Sequence, residues 1–173
     1  MQMTAHELAE VKAENKQLKQ CIEFILEECR MVLPGIQALF GFQLISVFNE
    51  RFSHLISADK VTHLAAIFFT VAAVGLLMGP ASYHRLTSPR SVPPELCTVG
   101  TRLVCGGMAA LMFSITLDIY LVTKIILESA TAGIICGGIA FVFFSAVWFI
   151  FPVLSRRGSR QHDHGDSSTQ LNL

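Results

Sequence analysis

Asp118 is the one acidic residue inside any of the long apolar stretches of this chain. A carboxylate in lipid costs on the order of 1–3 kcal/mol unless it is paired, hydrated or protonated. Burial would raise its pKa, which is what a proton carrier needs. His63 lies one turn into the preceding apolar stretch from the same outer side, so it is the candidate partner. The competing reading has Asp118 reaching the outer interface and His63 dressing a helix start after Asp59. Gln37 and Gln43 flank the middle of the first stretch, six residues apart and so on different faces. An amide there bonds across to another helix more readily than it coordinates an ion.

A second polar group gathers at the inner ends of the first two stretches: Glu28, Arg30, Gln37, His84 and Arg85. A fixed polar cluster joining the two ends, or contact with lipid head groups, is the chemistry these residues offer. His162, Asp163, His164 and Asp166 near the C-terminus have metal-ligand types, but metal sites want preorganised ligands and the tail is solvated, so no metal is expected. No nucleophile–base pair and no phosphate-cradling loop is present, which leaves no catalytic residue, no cofactor and no expectation of an enzyme.

The elements that must position these residues are spans. Four apolar stretches occupy residues 31–49, 61–83, 103–123 and 130–154, each with charge at or near both ends. A membrane helix needs roughly 20 such residues. The composition agrees: 15% of residues are charged, against roughly 25% in a soluble domain. Stretches such as AAIFFTVAAVGLLMG do not alternate, so they are helices rather than barrel strands. The net charge is zero and no basic patch is interleaved with aromatics, which argues against nucleic acid as a partner. The fold class expected is an all-α integral membrane four-helix bundle, residues 31–155, preceded by an amphipathic N-terminal helix, residues 1–30, and followed by a disordered polar tail, residues 156–173.

Lys and Arg set the orientation. Ten lie before the first stretch, between the second and third, or after the fourth; three lie in the other two connections. Both termini are therefore expected in the cytoplasm, with Leu86–Thr101 as the longest loop. The five cysteines, at 21, 29, 97, 105 and 136, are expected to be reduced and structural. Leu8, Val11, Asn15, Leu18, Ile22, Ile25 and Cys29 follow a heptad seam with a polar Asn in it, the pattern of a parallel dimer. The same stripe also suits a helix packed on its own bundle or lying on the membrane. Gly75-xxx-Gly79 and Gly133-xxx-Gly137 are small-residue faces that let helices approach, and Gly107, Ala110, Ser114 and Asp118 form a similar stripe.

The run ECRMVLPGIQALFGFQL, Glu28–Leu44, then Phe48 and Phe52, resembles a family of bacterial four-span membrane proteins of unknown function, as does GPASYHR, Gly79–Arg85. The shared pattern is roughly LPG-x-Q-x-LFxF followed by P-x-x-x-HR. Members are sometimes labelled sodium:proton antiporters. The resemblance thus implies four spans in a bacterial cell membrane and, through that label, sodium ion and proton as cargo; it assigns no ion-binding residue. Two functions compete. One is proton-coupled exchange of a monovalent cation using Asp118 with His63, which with only four spans requires a homodimer. The other is a non-catalytic scaffold or accessory subunit that oligomerises through its N-terminal helix and small-residue faces.

Overall fold

A computed structural model describes residues 5–87 and 94–151. Among them the chain is all helix: α1 (Ala5–Ser46), α2 (Glu50–Ser53), α3 (Ser57–Thr87), α4 (Pro94–Leu127) and α5 (Ala130–Ser145), which runs on as a π-helical turn over Ala146–Ile150. Four helices carry segments long and apolar enough to cross a membrane: 16–46, 57–82, 97–127 and 130–150. The all-α class expected from the apolar runs is the one observed. The C-terminal tail with its His and Asp residues lies outside the described residues, as does the side chain of His84.

The helices are longer than the apolar runs. The amphipathic N-terminal segment and the first span are one 42-residue helix that passes straight through Pro34. Pro34 sits in the helix interior, where it withholds the hydrogen bond to the Arg30 carbonyl. Pro80 sits in the interior of α3 in the same way. The expected long inner loop over 86–101 shrinks to residues 88–93 at most, because α3 continues to Thr87 and α4 already starts at Pro94. A proline suits that first position, where its missing N–H has no helical acceptor to lose.

The chain divides into two compact units, Met1–Ser114 and Ile115–Leu173. In the first, α1, α3 and the leading part of α4 pack together. Ile22, Ile25, Ile36, Ala66, Ala73, Leu77 and Val104 are buried there. Small residues allow the approach: a Cβ added at Gly107 would lie 2.8 Å from Leu77 Cγ, and one at Gly79 would lie 3.0 Å from Leu103 Cδ1. Gly75 faces open space, so only one end of that small-residue pair is used. The lower half of the heptad seam is spent inside the chain: Ile22, Ile25 and Cys29 are buried, and Ile25 Cδ1 reaches to 3.2 Å of where a Cβ would sit on Gly100. Cys21 and Cys97 are joined as a disulfide at a Cα–Cα distance of 6.3 Å, which corrects the expectation of five reduced cysteines. Cys29, Cys105 and Cys136 remain free thiols.

In the second unit the rest of α4 and α5 form an antiparallel pair. The turn between them is tight: Glu128 takes a left-handed backbone, φ 48°, and Ser129 caps α5 by accepting from the Ala132 N–H at 3.4 Å. Gly133 sits on α4 so closely that an added Cβ would lie 2.8 Å from the Tyr120 carbonyl oxygen. Gly137, one turn on, rests against Tyr120 and Thr116. These two glycines are the buried residues of α5, while Ile134, Ile135, Ile139, Val142 and Phe143 stand exposed. A helix apolar on its outward faces belongs in lipid or against a partner.

Candidate functional site

The first unit carries a chain of buried polar groups across three helices. α1 supplies Gln43 and Ser46, α3 supplies Asp59, His63, Ala66 and Thr70, and α4 supplies Ser114. The register is helical: 59, 63, 66 and 70 fall on one face of α3 at 3–4 spacing, and 43 and 46 on one face of α1. Gln43, Asp59, His63, Thr70 and Ser114 are all buried.

Ser114 is the hub. Its hydroxyl donates to the Ala66 carbonyl at 2.9 Å and accepts from Gln43 Nε2 at 3.0 Å. Thr70 Oγ1 lies 2.6 Å away. A serine hydroxyl has one proton and two lone pairs. With Thr70 as donor, Ser114 therefore uses its whole capacity, giving one bond and accepting two. The 3.2 Å contact from Thr70 to the same Ala66 carbonyl is the other use of the threonine's one proton. Bonds of this kind in a span hold helices by roughly 0.6–2 kcal/mol each. Gln37, in contrast, is exposed, so the two amides of α1 do face different ways.

His63 closes the other end. Its Nε2 is 2.9 Å from the Gln43 backbone oxygen and 3.0 Å from Ser46 Oγ, and Ser46 in turn donates to the same carbonyl at 2.7 Å. A carbonyl has no proton to give, so Nε2 must carry one and donate. That leaves Nδ1 as the lone-pair atom of the neutral ring. Phe52, held over the ring by the short α2, meets it edge-on at 5.3 Å between centroids. His63 is the seventh residue of α3, about 9 Å in from the helix start. Asp59 precedes it by one turn on the same face and is as deeply buried.

The other sequence candidates fall elsewhere. Asp118 is half-buried on the part of α4 that belongs to the second unit, and it has an interaction of its own; His63 is engaged by Ser46 and the Gln43 carbonyl. Arg30, Gln37 and Arg85 line one pocket of about 660 Å³ between α1 and α3, with Leu26, Leu33, Leu77 and Met78. Glu28 is exposed on α1 outside that lining. Among the described residues no group of His, Cys, Asp or Glu is placed to hold a metal. The residues that sequence reasoning passed over are Ser46, Asp59 and Thr70. Asp59 could have been noticed, since it stands four residues before His63; the two hydroxyl residues carry no signal apart from their partners.

One comparison bears on this architecture. A family of unknown function, DUF6328, matches residues 12–152, from the amphipathic part of α1 through the end of the π-helical turn. The chain belongs to that family. The matched range takes in the buried polar chain and both pocket arginines. Comparison with curated proteins and with solved structures finds no match.

Proposed function

We propose that this multi-pass membrane protein exchanges a monovalent cation for protons, with the proton carried at His63 Nδ1. The observation that carries the reading is a buried imidazole within a span whose Nε2–H is fixed by the Gln43 carbonyl and Ser46. Ionisable groups in that position mark ion or proton pathways by default. Protonation would place a charge among neutral partners and tighten the Nε2 bond. The two oxygens that hold Nε2–H are hard donors of the type a sodium ion accepts. A proton taken up at Nδ1 and a cation held at those oxygens would repel each other, so loading one would favour release of the other, which is what exchange requires. Asp59, one turn away, supplies a carboxyl group on the same face. The sodium:proton label attached to the resembling proteins points the same way. Four spans are few for a pathway, so a homodimer is part of this reading, in a cell membrane with both termini in the cytoplasm. No enzymatic step is included.

The test is cation-driven pH change in proteoliposomes holding the full chain. His63→Gln keeps a donor at the Nε2 position and removes the titration, so exchange should fall at least about tenfold. Unchanged exchange in that variant would overturn the reading. Asp118→Asn tests the second unit separately: exchange lost there too makes both carboxylate-bearing units necessary, and exchange retained leaves the proton to His63.

A scaffold or accessory role is the second reading. It is favoured by the neutrality of the Gln43–Ser114–Thr70 bonds, all of which close within one unit, and by the apolar outer faces left on α5. A protein that moves no ion across the liposome wall under any gradient, yet self-associates through the upper half of its heptad seam, would decide for it.

A further inference from the structure

We infer that the pocket between α1 and α3 is a binding site for an anionic phospholipid, its phosphate on Arg30 and Arg85 and its acyl chain along Leu33, Leu77 and Met78. The pocket holds about 660 Å³, within the range of small-molecule sites. Two guanidiniums and the Gln37 amide line it, and among the described residues no carboxylate does. Two like charges at one cleft call for an anion, and the guanidinium fork matches phosphate oxygens in pairs.

The remainder of the lining selects an amphiphile over a free ion. Leu33 and Leu77 wall the cleft and Met78 stands 49% exposed at its side, so an apolar chain can run from the charged mouth onto the surface of α3. On α3 the depth suits a head group. The apolar segment of α3 ends at Ser82, and Arg85 stands three residues further, about 4.5 Å along the helix. Basic pockets between membrane helices recognise phosphate head groups in this manner. The inference is independent of the exchange reading, since neither arginine takes part in the His63 chain.

The experiment is native mass spectrometry of the full chain released from detergent. The probes are phosphatidylglycerol, phosphatidylcholine with the same acyl chains, and glycerol phosphate as the head group alone. Phosphatidylglycerol should bind at least about tenfold tighter than phosphatidylcholine. Arg30→Gln and Arg85→Gln should each lose about that factor, the value of one charge-assisted contact. Ala81→Trp keeps both charges and fills the pocket mouth; it should lower binding as well, and it reads the same site where an arginine variant fails to fold. Equal binding of the two lipids, or binding indifferent to all three substitutions, overturns the inference. Glycerol phosphate binding as tightly as the lipid overturns it too, because the site would then take a soluble phosphate.

Discussion

The two units solve one problem in two ways. Water drives no association between helices that are already in lipid, so something else must hold them. The first unit adds polar bonds to its close contacts at Gly79 and Gly107: Gln43, Thr70 and Ser114 tie three helices at one hub. The second uses close approach: Gly133 and Gly137 let α5 rest on the backbone of α4 at Tyr120 and Thr116. A bond network has specific partners and can be switched by a proton. A glycine contact has neither property; it holds two helices and leaves their remaining faces free. The difference teaches where function belongs. The buried imidazole of His63 is in the bonded unit, and the smooth apolar surface of α5 is on the glycine-packed one.

Breaking the glycine contact should have the largest effect. In Gly133→Val the first added carbon already meets the Tyr120 carbonyl oxygen at 2.8 Å, a backbone atom that cannot step aside. A loss of about 3 kcal/mol is expected, the upper range of overpacking. Unfolding in mixed micelles would measure it, and hydrogen exchange should localise it to residues after 115. Ser114→Ala comes next, at about 2 kcal/mol, since the Gln43 amide loses its acceptor in a buried place. Its exchange signature should fall on α1 and α3. Adding Gln43→Leu to that variant should recover part of the loss, because both sides of the bond are then apolar. Without recovery the hub would be carrying no energy of its own, and the contrast between the units would weaken.

Two smaller tests sharpen the comparison at the turn of the second unit. Ser129→Ala removes the α5 cap and should cost about 1 kcal/mol by the same unfolding measurement. Glu128→Gly should stabilise by a few tenths to about 1 kcal/mol, since φ 48° strains a residue with a Cβ but not a glycine. A loss in that last variant would mean that the Glu128 side chain does more than fill the turn.

Much of the architecture was legible. Apolar runs bounded by charge gave four helices, because only helices satisfy their own backbone in lipid. The 3–4 spacing of Gly107, Ala110 and Ser114 put Ser114 on an inward face, and it is fully buried. Helix lengths were less legible. The residues just outside hydrocarbon are polar yet still helical, so α3 and α4 run past the apolar limits and consume most of the expected loop. Of the polar chain, sequence marks Gln43, His63 and Ser114. Ser46 and Thr70 are ordinary hydroxyl residues until α1, α3 and α4 bring them to shared partners, and Asp59 figures only as the residue before a helix start. The heptad seam is open in sequence between a dimer, the membrane surface and the chain's own bundle, and half of it is answered inside the chain by Gly100 and its neighbours. The Cys21–Cys97 pairing, 76 residues apart, had no spacing to announce it.

That cystine reaches beyond packing. It joins the middle of α1 to the start of α4 across 76 residues of chain. A loop of that length, closed by a covalent bond, denies the unfolded chain conformational freedom worth about 4 kcal/mol. The three-helix unit is thus tied once by sulfur and once more, further along both helices, by the bond from Gln43 to Ser114.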